Sequence, residues 1–463
     1  MKDAPLDATR IAELIGKYDR PGPRYTSYPT AVEFSEETGA DAYERHLGEA
    51  AESTEPLSLY LHLPFCEHRC TFCGCNVVIS PKHEPSVKYL ETLHREIDLI
   101  ADRLGGRTSI RQLHWGGGTP TFQTPEEMEA LFAKITSRFR IEDGAEVALE
   151  VDPRVTTSAH LRTLRDLGFN RLSMGVQDFT PEVQEAISRN QTWEQTESLV
   201  AECRELGFRS LNVDLVYGLP LQTPGTFQES LKKVLRLRPE RVAVYSYAHV
   251  PWLKANQRKT DTDFLPSAET KIRLFAETME AFTAAGYDPI GMDHFALPDD
   301  ELAVAARAGT LHRNFMGYTT RPAPDMVGLG VSSIGDVGNA HFQNQKVIPK
   351  WKAAVESGTV PVFRGVVLTD EDCLRRRVIH DLMCNWRVDK GAVESAFGIS
   401  FDSHFARELG ELAPAVDEGF VETDAAEIRV VGVGRLFVRN VAMVFDEYLR
   451  RMQKDGPVFS RTV

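Results

Sequence analysis

The sequence predicts an α/β protein, an incomplete (β/α)6 TIM-like barrel with a smaller, mainly helical C-terminal domain of winged-helix-like plan. Three observations carry that prediction. Six apolar runs alternate with amphipathic helical stretches between residues 57 and 250, which implies right-handed βαβ crossovers and a parallel sheet. Glycines or unusual polar residues follow nearly every run, and parallel α/β proteins place their sites at the carboxyl ends of strands. After residue 250 the alternation stops and a different pattern begins. A doubly wound open sheet shares the first two features and stays open as the alternative.

Taken in order, residues 1–55 hold two short helical patterns, near 6–17 and 39–52, separated by the turn-rich string PGPRYTSYPT. This stretch reads as a flexible segment that folds over the site. LSLYLHLPF (57–65) sets Leu57, Leu59, Leu61 and Leu63 against Ser58, Tyr60 and His62, the period of a strand. Further strands are expected at 112–115, 146–152, 171–177, 210–218 and 241–250, with helices at 84–104, 125–138, 158–167, 193–206 and 224–236. Residues 56–364 therefore form the main domain. Its later part has a helix near 267–285 and then glycine-rich, loop-like sequence through about 345. From 365 to 463 a separate unit is expected, with helices near 369–385 and 402–417, a hairpin in FVETDAAEIRVVG and a last helix near 434–453.

Composition narrows the function classes. Hydrophobic residues make up 42% and charged residues 26% of 463, an ordinary soluble balance with enough apolar material for a large core. No apolar run has the length of a membrane span, and the N-terminus lacks the core of a signal peptide, so a cytoplasmic protein is expected. The net charge of −14 opposes nonspecific binding to nucleic acid or anionic membrane. Winged-helix topology in an acidic chain without a dense basic face does not predict DNA recognition.

Seven cysteines without a secretion signal argue against a disulfide framework. Cys203, Cys373 and Cys384 sit among helix formers and read as packing residues. The other four crowd into CEHRCTFCGC, directly after the first strand. Zinc sites usually pair cysteines that are well separated in sequence, so a zinc site completed by Cys75 fits badly. Three close thiolates, Cys66, Cys70 and Cys73, suit a cubane cluster that leaves one iron open.

This Cys-x3-Cys-x2-Cys loop, with Phe72 before its third cysteine, resembles the signature of the radical S-adenosylmethionine (SAM) superfamily. The run Gly116-Gly117-Gly118-Thr119-Pro120 resembles that superfamily's second-strand motif, where close backbone approach to a ligand favours glycine. Further strings, RYTSYPT (24–30), CGCN (73–76), EVDPR (150–154), GVQDF (175–179), DLVYGLP (214–220), GMDHFA (291–296) and HRNFMGYTT (312–320), occur in the order seen in oxygen-independent coproporphyrinogen III oxidases. The resemblance runs from about residue 20 to the C-terminus. Related heme chaperones share the cluster motif but typically lack the RYTSYPT segment and a residue like Cys75.

The resemblance implies one [4Fe–4S] cluster on Cys66, Cys70 and Cys73 and two SAM molecules. Tyr60, Phe72, Gly117, Glu150 and Ile334 match positions around the first SAM, and Tyr60 and Glu150 are counted with the catalytic set. Gly118, Thr119, Gln177, Arg189, Asp214 and Ala248 match contacts of the second. It implies that an electron from a donor such as flavodoxin or ferredoxin splits SAM to a 5′-deoxyadenosyl radical. That radical removes a propionate β-hydrogen, and loss of an electron and carbon dioxide leaves a vinyl group. Coproporphyrinogen III is the implied substrate and a monomer the implied state. Because substrate and protein are both anionic, nearby arginines must hold the carboxylates, and Arg24 is the candidate.

Overall fold

A computed structural model describes residues 8–452 and 458–462. Residues 6 and 7 of the first expected helix and residue 453 of the last lie outside them. The core of the fold is a run of parallel strands: β1 (Leu57–Leu63), β2 (Ser109–Gly117), β3 (Arg140–Val151), β4 (Arg171–Gln177), β5 (Ser210–Tyr217) and β6 (Arg241–Ser246). They pair in chain order, each with the next. The crossover helices are α1 (Glu84–Arg103), α2 (Pro125–Arg138), α3 (Ser158–Asp166), α4 (Trp193–Glu205) and α5 (Pro224–Leu237). Four of them start at a threonine N-cap with a capping box, at Thr124, Thr157, Thr192 and Thr223. Each cap accepts a free first-turn N–H and stabilises its helix start by roughly 1 kcal/mol.

The period-2 pattern of the strands has an unusual meaning here. Leu57, Leu59, Leu61 and Leu63 are all fully buried under the helices, each contributing about 1.5–3 kcal/mol. The alternate positions face the inside of the curved sheet and carry polar groups. Ser58 Oγ donates to Gln112 Oε1 (3.1 Å), and Gln112 Nε2 donates to Glu146 Oε1 (2.9 Å). Tyr60 stacks on His114 with ring centroids 6.0 Å apart. The barrel interior is thus a polar column that opens at the carboxyl ends of the strands.

The sheet is open and larger than six strands. A seventh parallel strand, β7 (Asp325–Leu329), pairs with β1, and antiparallel strands Ile334–Asp336, Ala340–Asn344 and Val362–Val367 continue beyond it. On the other side, His294–Ala296 and Asp288–Ile290 extend β6 after the helix α6 (Ala268–Ala284). The stretch to residue 345 is therefore not a loop, as its glycines suggested. Its strands are only three to five residues long, too short to show a period. A buried carboxylate fixes them instead. Glu96 of α1 accepts from Gly330 N–H (2.8 Å), Asn344 Nδ2 (2.6 Å) and Trp351 Nε1 (3.0 Å). Burial pushes its pKa up to about 7.

Residues 370–451 form the smaller unit on a second hydrophobic core. Its main helix is α7 (Asp370–Asn385). The expected hairpin is a three-stranded sheet, because Arg387–Asp389 pairs with Glu427–Val430 beside Val421–Thr423. The helix expected over 402–417 breaks into Phe401–His404 and Ala406–Asp417. The last expected helix also breaks, where Asp446 caps a new turn by accepting from Leu449 N–H (2.9 Å).

The RYTSYPT segment is not a free arm. Tyr25 and Tyr28 are buried in the smaller unit's core. Tyr25 Oη donates to Asp446 Oδ2 (2.8 Å), and Glu447 N–H donates to Tyr28 Oη (3.2 Å). Two aromatic rings with satisfied hydroxyls anchor the segment at the rim. Of the packing cysteines, Cys203 and Cys384 are buried, while Cys373 is only half-buried. Among the described residues, no helix is long and apolar enough to cross a membrane.

Candidate active site

A cavity of about 590 Å³ opens at the carboxyl ends of β1–β6, within the range of organic-ligand pockets. It is lined by Cys66, Cys70, Phe72, Cys73, Gly117, Gly118, Thr119, Glu150, Gln177, Arg189, Asp214, Ala248 and Arg24. Two residues named with them from the sequence do not line it. Tyr60 points into the polar column below, and Ile334 sits on the strand beyond β7, where its backbone packs on Gly328, the register partner of Tyr60. The sixth strand stops at Ser246, so His249 belongs to the following loop, where its Nδ1 lies 3.1 Å from Tyr247 Oη.

The cysteine loop leaves β1 through Phe65–Cys66 and returns at Val78–Ile79, which pair with each other. Its backbone is braced from outside. Asn256 Nδ2 donates to the carbonyls of Cys70 (3.3 Å), Thr71 (3.0 Å) and Cys73 (3.0 Å), and Gln257 Nε2 to that of Phe72 (2.9 Å). His62 bridges Tyr60 Oη (3.0 Å) and the carbonyl of Asn76 (2.9 Å). Cys66 Sγ lies 3.4 Å from Thr119 Oγ1. Two guanidinium groups, of Arg154 and Arg189, direct N–H donors at Cys70 Sγ from 3.8 and 3.7 Å.

The glycine run is required by close approach. Gly117 has φ +118°, and a Cβ there would sit 2.8 Å from the His62 ring. At Gly118 it would meet the Pro64 backbone at 2.6 Å. Gly117 N–H donates to Glu150 Oε2 (3.3 Å), and His114 Nε2 lies 3.5 Å from Glu150 Oε1. Burial pushes the Glu150 carboxyl up, but His114 and the Gly117 N–H outweigh it and leave the pKa lowered.

Further round the rim, Asp152 accepts from Arg154 Nη2 (2.7 Å) and Arg189 Nη1 (3.0 Å). Its burial is overcome by the two arginines, and its pKa is lowered. A bulge between Gly175 and Gln177 interrupts the β4–β5 register, and Gln177 takes φ +71°. Bulges near sites re-aim side chains in this way. Asp214 on β5 has only neutral partners, Ser173 Oγ (2.9 Å) and Asn212 Nδ2 (2.7 Å). Burial, then repulsion from Glu150, pushes its pKa up to about 6.

The arrangement fits a thiolate-held cluster with a polar organic ligand beside it. Cys66, Cys70, Cys73 and Cys75 all open onto one cavity, and arginine donors face the sulfur of Cys70. Buried Arg189 Nε has no hydrogen-bond partner, and Arg189 lines the cavity, so a donor at the rim is left for a ligand. Among the described residues, no three or more His, Cys, Asp or Glu converge closely enough to hold a single metal ion.

Asp152 is one of the polar residues at the end of a predicted strand; the residues the sequence did not single out are His62, Arg154, Ser173, Asn256 and Gln257. Arg154 stood within a quoted motif. Asn256 and Gln257 lie in a non-periodic stretch that gave no signal.

Fold and site together define a radical SAM protein: residues 60–234 match the Radical SAM superfamily, and residues 368–437 the HemN C-terminal domain. The chain is 46% identical over 453 residues to the oxygen-independent coproporphyrinogen III oxidase of Escherichia coli K12, covering 97% of this chain and 98% of that one. It is 42% identical to the Pseudomonas aeruginosa oxidase over 99% of this chain and all (100%) of that one. The solved Escherichia coli coproporphyrinogen III oxidase, described as a radical SAM enzyme, superposes with a TM-score of 0.89 over 92% of this chain and 98% of that chain. The chain belongs to the oxygen-independent coproporphyrinogen III oxidase family.

Proposed function

We propose that this chain decarboxylates two propionates of coproporphyrinogen III to vinyl groups, giving protoporphyrinogen IX. The observation that carries this reading is the single cavity onto which Cys66, Cys70 and Cys73, with Cys75 beside them, Gly117, Gly118, Glu150, Arg189, Asp214 and Arg24 all open. Cys66, Cys70 and Cys73 would hold one [4Fe–4S] cluster. Phe72, Gly117 and Glu150, backed by Tyr60 and Ile334, would receive a first SAM. Gly118, Thr119, Gln177, Arg189, Asp214 and Ala248 would receive a second. When bound, cluster and SAM supply a carbon radical able to take a hydrogen atom.

The chain's own residues position and shield. Glu150, kept ionised by the Gly117 N–H and His114, offers an acceptor for the ammonium of an amino acid headgroup. Arg189, clasped to Asp152, presents its unpartnered Nε to a carboxylate or hydroxyl. Phe72 packs against the apolar patch of Val183, Ile187, Val216 and Leu219 and keeps water from the cluster side. Each propionate loses one hydrogen atom, one electron and carbon dioxide, so no protein nucleophile is required.

Gly74 and Cys75 are exposed. They leave an edge of the loop within reach of a small electron donor such as flavodoxin or ferredoxin. We read the chain as a cytoplasmic monomer, with residues 1–55 closing over a catalytic domain of 56–364 and with 365–463 behind it. The test is an anaerobic assay of iron-reconstituted protein with SAM, reductant and coproporphyrinogen III. Vinyl product is expected; a protein that retains heme and forms no vinyl would be a chaperone instead.

A further inference from the structure

Beside the main cavity lies a smaller one, of about 50 Å³, and Arg24 and Ser246 line both. Arg24 spans the wall between them. Its Nη2 donates to Ser246 O (2.6 Å), while its Nε is buried with no partner. Two more cations line the small space: Lys271 of α6, and Arg439. Arg439 is 5% exposed and donates to the backbone carbonyls of Gly22, Pro23, Arg461 and Thr462. Two carboxylates act on these cations: Asp19, which pulls on Lys271 and is itself paired with Arg461, and Asp293 on the pocket wall. Asp293 accepts from His294 Nδ1 (2.7 Å), and its Oδ2 is unpartnered.

The space is therefore positive in an otherwise acidic chain. Its effect is visible on Lys271. Burial, together with Arg24, Arg439 and Arg461 and against the pull of Asp19, lowers that ammonium's pKa to about 8. Entry of an anion would relieve this crowding. The remaining walls are apolar, formed by Ile272, Phe275, Leu436 and Phe437. A short anionic tail on an apolar stem matches the lining, and the volume is too small for a macrocycle.

We propose that this pocket anchors a propionate of the tetrapyrrole that is not reacting, held by Lys271 and Arg439 behind Arg24. The inference rests on the oxidase reading above and adds a binding site to it. Holding one carboxylate in a separate pocket fixes the macrocycle while another propionate reaches the main cavity. It also resolves the charge conflict between an acidic protein and a substrate with four carboxylates, since attraction is confined to a buried spot.

The experiment is equilibrium dialysis of cluster-loaded enzyme with SAM, kept anaerobic and without reductant so that nothing turns over. Wild type, Lys271→Gln and Lys271→Arg are each titrated with coproporphyrinogen III, with protoporphyrinogen IX and with SAM alone. Lys271→Gln should weaken both tetrapyrroles by about tenfold, the scale of one lost charged hydrogen bond. Lys271→Arg should keep most of the affinity, and SAM affinity should not move. Equal tetrapyrrole binding by wild type and Lys271→Gln overturns the anchor while leaving the oxidase reading intact. A parallel loss of SAM affinity also overturns it, because the pocket would then serve the methionine carboxylate. Absence of coproporphyrinogen binding by wild type would instead remove the oxidase reading, and the anchor with it.

Discussion

The two walls of the main cavity treat their carboxylates, buried Asp152 and half-buried Asp214, in opposite ways. On the wall next to the cysteines, Asp152 is gripped by Arg154 and Arg189 and is held ionised. On the wall formed by β4 and β5, Asp214 has a hydroxyl and an amide for partners and holds its proton up to about 6. The first wall sets two arginines against one aspartate, so its carboxylate is paired while Arg189 keeps an unpartnered Nε. The second leaves its carboxylate without a cation. SAM carries a carboxylate as well as cationic groups, so under the proposed reading the first wall suits its anionic end and the second its cationic end.

The most severe way to break this division is at the cluster. Cys66→Ala, Cys70→Ala or Cys73→Ala should each abolish iron–sulfur absorption and SAM cleavage, whereas Cys75→Ser should retain an assembled cluster. Equal loss in all four would make Cys75 a ligand.

A smaller effect is expected on the paired wall. Arg189→Ala leaves Asp152 one arginine short in a buried site and should destabilise by about 3 kcal/mol, read as a lower melting temperature. Asp152→Asn combined with Arg189→Gln should recover part of that loss. A double variant no better than Arg189→Ala would show that the pair does not act as a unit.

On the unpaired wall the sign reverses. A carboxyl whose folded pKa is about 6, against about 3.9 unfolded, favours the folded state below pH 4. That advantage is lost as pH rises through 6. Asp214→Asn should therefore raise the stability of ligand-free protein at pH 8 by about 1–3 kcal/mol and change little at pH 4. It should also weaken the second SAM, as should lowering the pH of wild type below about 6. Binding that saturates at one SAM per cluster in wild type would end this assignment. The smallest effect is expected from Asn256→Ala, roughly 1–2 kcal/mol from three carbonyls losing their common donor, seen as slower or less complete cluster reconstitution.

Much of this architecture is legible in the amino acids. The amphipathic stretches announce the crossover helices, and the leucines of β1 announce a strand. The antiparallel extension beyond β7 is not legible, because AHFQN (340–344) is buried at every position and shows no alternation. The site divides similarly. Cysteines and glycines advertise themselves by type and spacing, whereas Asn256 is one amide in an aperiodic loop and acquires meaning only where it meets three carbonyls. The packing of Tyr25 and Tyr28 into the smaller unit was equally hidden, since their partner Asp446 lies 421 residues from Tyr25.

The Asn256 brace also bears on the order of events during synthesis. It reaches the cysteine loop from 183 to 186 residues downstream. A ribosome-bound chain that has emerged only as far as β5 already displays Cys66, Cys70 and Cys73 but has no clamp on the loop between them. Iron delivered at that stage would meet three thiols on unrestrained backbone. The backbone restraint on the loop is therefore complete only once the chain has passed the sixth strand and supplied Asn256.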